Sequence, residues 1–192
     1  MIVAIGCFPD ELILSCGGML IKNAEKDDAE IKIILIENPN LSKKKIKIQE
    51  FIEKIRIKTH VVEGFDFSAI TQNNVNLIQN IIRKYKPDTI IIPYNKSKKK
   101  ENRILGSSSI LAGREINNIL MYEVGEKTDF SPTVFLDIKN VNKIKNNWFY
   151  SLDITQKSRL KKMLDVYNKT NKKYKLKIKF IEPHQSFRMV LD

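Results

Sequence analysis

Residues 2–20 read IVAIGCFPDELILSCGGML, and within this stretch an apolar run gives way directly to a helical pattern. The run Ile2–Cys7 is rich in β-branched side chains, which is typical of a buried strand. Pro9 and Asp10 form a step that often precedes a helix, and the apolar spacing after it predicts a helix over Glu11–Lys26. A strand followed at once by a helix indicates the first part of a strand–helix–strand unit.

A pair of glycines, Gly17 and Gly18, lies inside this helical pattern. Glycine costs about 1 kcal/mol relative to alanine in a helix, so such a pair usually permits close packing of the helix on a neighbour. The stretch could pass for a dinucleotide-binding loop, but the spacing GxGxxG is absent from it. We therefore predict a packing role for the glycines.

Apolar runs alternate with longer amphipathic stretches along the rest of the chain. This alternation predicts a single Rossmann-like α/β domain over residues 1–192, with a mostly parallel sheet and helices on both faces. The predicted strands are Ile2–Cys7, Ile31–Ile36, Thr59–Glu63, Thr89–Pro93, Asn118–Val124, Thr133–Ile138 and Ser186–Leu191. The predicted helices are Glu11–Lys26, Lys44–Lys58, Ser68–Tyr85, Ser107–Ile116 and Ser158–Tyr174.

The composition is that of a globular protein with an excess of positive charge. Of its 192 residues 42% are hydrophobic, and the formal net charge is +12. The tight basic clusters are Lys43–Lys45 and Lys96–Lys100, and neither is interleaved with aromatic residues, as a surface for single-stranded nucleic acid would be. Lysine, asparagine and isoleucine are abundant throughout, so a bias in composition explains the charge, and we expect no nucleic-acid partner.

Targeting and membrane signals are absent from the pattern of the sequence. No run of about 18 apolar residues is present, so no membrane span is predicted. The residues that follow Met1 lack the basic start of a signal peptide. The two cysteines, Cys7 and Cys16, agree with a reducing compartment. We therefore expect a cytoplasmic protein, and the oligomeric state is left open.

The first motif, AIGCFPDELILSCGG at residues 4–18, resembles the strand followed by A-H-P-D-D-E-x-x-x-x-G-G of the LmbE-like (PIG-L) de-N-acetylase family. Pro9, Asp10, Gly17 and Gly18 match without a gap. The resemblance implies the α/β fold of that family. It also implies chemistry on N-acyl amino sugars, which the family performs with a catalytic zinc ion.

The residues at the family's functional positions differ in this first motif. Phe8 stands where the family has a zinc-binding histidine, and Glu11 stands where it has a zinc-binding aspartate. Asp10 matches the general base, so the resemblance makes Asp10 the candidate catalytic base. The alternative is that Asp10 only caps the helix. Cys7 is next to the lost histidine, but strand alternation predicts that its side chain points to the opposite face.

A second motif lies at residues 87–106, PDTIIIPYNKSKKKENRILG. It resembles the family's fourth strand and the loop H-x-x-D-x-H-x-D-H, with other residues at the functional positions. Tyr94 stands at the first histidine, while Lys99 and Asn102 align with the histidines of H-x-D-H. A catalytic zinc site needs about three protein ligands. With asparagine and phenylalanine at two of those positions, we predict that no metal and no other cofactor is bound.

The late part of the chain supports the same resemblance. FSPTVFLDI at residues 130–138 is similar to the family's F-x-P-x-x-F-V-D-I, and the final segment is similar to its closing A-E-A-F-R. Phe187 and Arg188 match, and Gln185 replaces the acidic residue. His184 lies near the predicted cleft, and the alternative is a histidine on a surface turn.

These residues predict a degenerate member of the family that binds an amino sugar, a nucleotide-linked sugar or a glycoconjugate. One alternative is an active N-deacetylase with Asp10 as base and Lys99 as oxyanion stabiliser. Another is a group transfer to or from a nucleotide-linked sugar. The predicted substrate-binding residues are Phe8, Glu11, Tyr94, Lys99, Asn102, His184 and Arg188.

Overall fold

The computed structural model describes residues 1–26, 30–37, 57–123, 128–152 and 181–188. They form one sheet with helices packed against it. The strands are β1 Ile2–Gly6, β2 Ile31–Ile36, β3 Lys58–Val62, β4 Thr89–Pro93, β5 Asn118–Tyr122, β6 Val134–Asp137 and β7 Ile181–Arg188. The helices in these ranges are α1 Pro9–Ala24, α2 Gln72–Tyr85, α3 Lys100–Ala112 and α4 Asn142–Leu152.

In the described part of the chain the sheet has seven strands, in the order β3-β2-β1-β4-β5-β7-β6. Strand β1 is the middle one of the five parallel strands, where Ile2 pairs with Ile31 of β2 on one side and with Thr89 of β4 on the other. The pairs from β3 to β5 are parallel, whereas β7 is antiparallel to both β5 and β6. The prediction of a mostly parallel α/β sheet is therefore confirmed.

Helices cover both faces of the sheet, as parallel strands require. On one face, α1 and α4 pack on alternate strand residues, with Trp148 and Phe149 of α4 fully buried. On the other face, α2 and α3 cover the remaining strand residues, with Ile78 and Leu105 fully buried. No helix in the described ranges is long and apolar enough to cross a membrane.

Several boundaries differ from the prediction, and polar residues hide two of them. Helix α3 starts at Lys100 and not at Ser107, since its first turn consists of charged and amide residues that read as loop. Strand β7 starts at Ile181 and not at Ser186, although it contains Pro183. Pro183 faces Phe135 of the terminal strand β6 in the ladder.

One helix of the structure was missed, and two predicted helices lie wholly or almost wholly outside the described residues. Helix α4, Asn142–Leu152, was not predicted, because lysine and asparagine dilute its apolar pattern. The predicted helix Ser158–Tyr174 lies outside the described residues. So does the predicted helix Lys44–Lys58, apart from its last two residues, and the prediction is wrong at Lys58, which is the first residue of β3. The basic cluster Lys43–Lys45 lies outside them too.

Candidate functional site

The candidate site lies at the carboxyl ends of β1 and β4, which are neighbours in the sheet. The residues after β1 lead into α1, and those after β4 lead into α3. In open parallel sheets these strand ends form the crevice in which ligands bind. The two sequence motifs therefore meet at one edge of the sheet, as the resemblance implies.

The carboxylate of Glu11 is the centre of this site. Glu11 lies in the first turn of α1, and only 1% of its surface is exposed. Its Oε2 accepts a hydrogen bond of 2.8 Å from Asn102 Nδ2. Its Oε1 forms an ion pair with the ammonium group of Lys99. Both carboxylate oxygens thus have a donor from the α3 side of the crevice.

Lys99 enters the site from its solvent side. Its side chain is 40% exposed, and its Nζ lies 4.8 Å from the centroid of the Phe8 ring. A cation over an aromatic face gains about 0.5–2 kcal/mol, depending on how far it is desolvated. The ammonium therefore lies between the carboxylate of Glu11 and the face of Phe8, the two residues of the first motif for which the resemblance implies metal-ligand positions.

Cys7 also belongs to this cluster, and the prediction that it points away was wrong. Strand β1 ends at Gly6, so the alternation of a strand does not extend to Cys7. Its Sγ lies 3.4 Å from Asn102 Oδ1. Burial, with a further contribution from the negative charge of Glu11, raises the pKa of the thiol well above its usual value. The thiol is therefore protonated and is a poor nucleophile.

Asp10 lies deep in the first turn of α1 and is only 3% exposed. The alternative that it caps the helix was wrong, because the capping residue is Phe8, whose side chain makes no cap hydrogen bond. An acidic residue in the first turn still interacts favourably with the helix dipole. The role of Asp10 as a base stays a prediction.

Tyr94 forms a separate cluster at the end of β4. Its hydroxyl donates a 2.7 Å hydrogen bond to Asp129 Oδ1, and its ring packs edge-on against Phe130. Lys96 Nζ lies 2.9 Å from Asp129 Oδ2. Burial, reinforced by the hydrogen bond to Asp129, raises the pKa of Tyr94. The hydrogen bond from Tyr94, followed by that from Lys96, lowers the pKa of Asp129. The sequence motifs contained no signal for Asp129.

His184 lies in β7, and the alternative of a surface turn was wrong. It is fully buried, and neither ring nitrogen has a hydrogen-bond partner among the residues that the structure describes. Burial, with a smaller effect of the positive charge of Lys145, lowers the pKa of His184 to about 3. It makes no hydrogen bond to the Glu11 cluster. The backbone of Arg188 pairs with Ile119 at the end of β7, and its predicted binding role stays a prediction.

The donor atoms of the described residues do not converge in the manner of a metal centre. Within the described ranges, no group of three or more histidine, cysteine, aspartate or glutamate side chains is placed to hold a metal ion. The protein has only two histidines, and neither joins the site: His60 lies on the exposed side of β3, and His184 is buried in β7.

The similarity to solved structures with the same fold extends over almost the whole chain. The sequence matches no protein-family model and no curated protein. A conserved protein from Thermus thermophilus is 12% identical with a TM-score of 0.84, covering 100% of this chain and 96% of that one. An N,N'-diacetylchitobiose deacetylase from Pyrococcus horikoshii is 13% identical with a TM-score of 0.77, covering 97% and 83%.

A further solved structure combines this fold with a different reaction. It is a 4-carboxy-2-hydroxymuconate hydratase from Pseudomonas putida, 12% identical with a TM-score of 0.79, and the match covers 99% of this chain and 97% of that one. Deacetylases and a hydratase thus share this architecture, so the reaction depends on the residues in the crevice. The sheet order, the helices on both faces and these similarities show that the chain has the LmbE-like α/β fold.

Proposed function

We propose that this protein is a divergent relative of the LmbE-like deacetylases that binds an amino sugar or glycoconjugate without zinc-dependent N-deacetylation. One observation carries the proposal: both oxygens of the buried Glu11 carboxylate are held by Lys99 and Asn102. Neighbours of the same fold include a deacetylase named for an N-acetylated sugar, which supports a ligand of this class.

The residues present do not fit a catalytic zinc ion. Such a site takes about three histidine, cysteine or carboxylate ligands and keeps one position open. Of the three matched positions only Glu11 offers a good ligand, since Phe8 has no donor atom and the Asn102 amide directs its NH₂ group at the carboxylate. The Lys99 ammonium against Glu11 would also repel a dication.

The basic loop after β4 supports an anionic group on the ligand. Lys96, Lys98 and Lys100 are exposed beside the crevice, and a cluster of like charge raises the local concentration of an oppositely charged ligand. A phosphate or carboxylate on a glycoconjugate, or the diphosphate of a nucleotide-linked sugar, would be attracted there. This attraction weakens with added salt because exposed charges are screened.

Metal analysis of the purified protein, together with an activity assay, tests the proposal. We expect far less than one zinc ion per chain after incubation with zinc and desalting. We also expect no release of acetate from N-acetylglucosaminides and a melting temperature unaffected by a chelator. Zinc bound at one ion per chain and lost in Glu11→Ala would overturn the proposal, as would acetate release that depends on Asp10.

A restored variant provides the positive control. Phe8→His and Asn102→His replace the two missing ligands, and Lys99→Ala removes the competing ammonium. Together with Glu11 these changes give two imidazoles and one carboxylate, which is a donor set of catalytic zinc sites. We expect this variant to bind zinc in a competition assay with a chromogenic chelator, whereas the unmodified protein does not compete.

A further inference from the structure

We propose that Phe8, Glu11 and Asn102 form a receptor for a primary ammonium group, and that Lys99 is a built-in occupant which the ligand displaces. The inference rests on the proposed function and narrows its ligand to one with a free amine, such as a de-N-acetylated amino sugar. The protein's own Lys99 shows how an ammonium group fits this receptor. Its ammonium lies against the Glu11 carboxylate and 4.8 Å from the centroid of the Phe8 ring.

The charge of Glu11 determines which ligands can enter. This carboxylate is 1% exposed, and a buried carboxylate without a compensating cation is strongly unfavourable. A ligand that displaces Lys99 must therefore bring its own positive charge. An N-acetylated sugar is neutral at nitrogen and cannot do so, whereas a protonated amino group can take over the ion pair and the aromatic face.

The receptor residues are fixed by their own contacts. Asn102 is 5% exposed, and its amide bridges two partners: Nδ2 donates to Glu11 Oε2 at 2.8 Å, and Oδ1 lies 3.4 Å from Cys7 Sγ. This bridge leaves Glu11 Oε1 turned towards the ammonium. The oxygen and the Phe8 ring therefore define a preformed place for a single cationic group.

Lys99 is suited to leave that place. Its side chain is 40% exposed, and lysine carries its charge on a flexible four-carbon stem. It is also the N-cap residue of α3, and its side chain makes no cap hydrogen bond. A cation near the amino terminus of a helix is unfavourable, because the helix dipole is positive there. The Lys99 ammonium can therefore be replaced by the cationic group of a ligand, on the solvent side of the buried Glu11 carboxylate.

Calorimetric titration with three small ligands tests the inference. Glucosamine carries the ammonium and the sugar hydroxyls, N-acetylglucosamine carries the sugar alone, and methylamine carries the ammonium alone. We expect glucosamine to bind at least tenfold more tightly than N-acetylglucosamine. Lys99→Met removes the competing ammonium and should strengthen glucosamine binding about tenfold or more, while Glu11→Gln should abolish it.

Lys84→Met is the matched control, because it removes an exposed lysine in the last turn of α2, which leads into the end of β4 opposite the site. It should leave the glucosamine affinity within about twofold of the unmodified protein. Lys99→Met removes the ion pair of the buried Glu11 carboxylate, so the melting temperature of this variant is measured as well. We expect glucosamine, and not N-acetylglucosamine, to raise that temperature. The double variant Glu11→Gln with Lys99→Met removes both charges of the ion pair. It should bind neither glucosamine nor N-acetylglucosamine.

The outcomes separate this inference from the proposed function. Equal binding of N-acetylglucosamine and glucosamine, unchanged in Lys99→Met, would overturn the ammonium receptor and leave a sugar-binding protein. Methylamine binding as tightly as glucosamine would support the receptor and overturn the amino-sugar ligand. Absence of amine binding in Lys99→Met would overturn the inference, even if metal analysis agreed with the proposed function.

Discussion

At the scale of single residues, the neighbouring glycines of α1 have different surroundings. A Cβ added to Gly18 would lie 2.5 Å from Ile138 Cγ2 and 2.8 Å from Glu182 Oε1, whereas one added to Gly17 would meet Ile13 Cγ2 at 3.3 Å. We expect Gly18→Ala to lower the free energy of unfolding by about 2 kcal/mol, since overpacking a filled site costs ~1–3 kcal/mol. Urea unfolding followed by circular dichroism measures the change.

Gly17→Ala is the control for that experiment. The gain in helix propensity is about 1 kcal/mol, which offsets the milder crowding. We expect the free energy of unfolding of Gly17→Ala to lie within about 1 kcal/mol of that of the unmodified protein. Equal losses in the two variants would contradict the view that Gly18 alone is needed for close approach.

Much of the candidate site is visible in the sequence, but its contacts are not. The two motifs indicated Phe8, Glu11, Lys99 and Asn102, and the structure brings these four together. The ion pair between Lys99 and Glu11 spans 88 positions of the chain and follows only from the adjacency of β1 and β4. Asp129 was missed because it reaches Tyr94 from a loop whose local pattern carries no motif.

At the scale of elements, the two ends of helix α2 make opposite contributions. At its start Thr71 Oγ1 accepts a 3.1 Å hydrogen bond from the amide of Asn74. At its end Lys86 adopts a left-handed conformation with φ of 45°. We expect Thr71→Ala to lower the free energy of unfolding by about 1 kcal/mol through loss of the cap. Lys86→Gly should raise it by up to about 1 kcal/mol, because glycine adopts positive φ without strain.

Thermal or urea unfolding of both variants checks these two signs. Lys84→Gly is a suitable control, since the same substitution two residues earlier lies inside the helix. There glycine should cost about 1 kcal/mol. A loss in Lys86→Gly similar to that in Lys84→Gly would contradict the assignment of the helix end.

Strands were predicted more closely than helices, for a physical reason. The strands buried on both faces are continuous apolar runs, so Ile31–Ile36 and Thr89–Pro93 were predicted with their observed bounds. Helices show only one face to the sheet, and lysine and asparagine fill the other faces in this chain. Helix α4 was therefore missed, although it buries Trp148 and Phe149, because those two aromatics alone do not make a repeating pattern.

At the scale of the whole molecule, one buried ion pair joins three elements. Glu182 of β7 accepts hydrogen bonds of 2.7 Å from the amides of Gly18 and Met19 in α1, and its Oε1 lies 2.5 Å from Lys145 Nζ of α4. Breaking a buried pair costs about 3–5 kcal/mol, because the remaining charge is left uncompensated. We expect Glu182→Gln and Lys145→Met each to destabilise the protein by about 3 kcal/mol.

A double-mutant cycle distinguishes the ion pair from the separate packing of its members. The double variant removes both charges of this pair, so it should be more stable than the sum of the single losses predicts, by about 1–3 kcal/mol. Additive losses in the free energy of unfolding would show that Glu182 acts through the α1 amides alone.

The buried imidazole of His184 gives the whole molecule a pH dependence. Burial and the charge of Lys145 hold its pKa at about 3, below the value of 6.5 that it regains on unfolding. Between these two values the unfolded chain binds a proton that the folded protein does not bind. The free energy of unfolding therefore falls as the pH falls from about 6.5 towards 3, by ~1.4 kcal/mol per pH unit from this group.

Urea unfolding at pH 7 and at pH 5 measures this loss, to which His184 should contribute about 2 kcal/mol. His184→Met is neutral at both pH values and of similar volume, so its stability should fall by about 2 kcal/mol less over the same interval. His60→Gln is the control, because His60 is the other histidine of the chain and lies on the exposed side of β3. If His60→Gln flattened the profile and His184→Met did not, the buried imidazole would not be the source of the acid sensitivity. Carboxylates titrate in all three proteins, so the difference between variants isolates the imidazole.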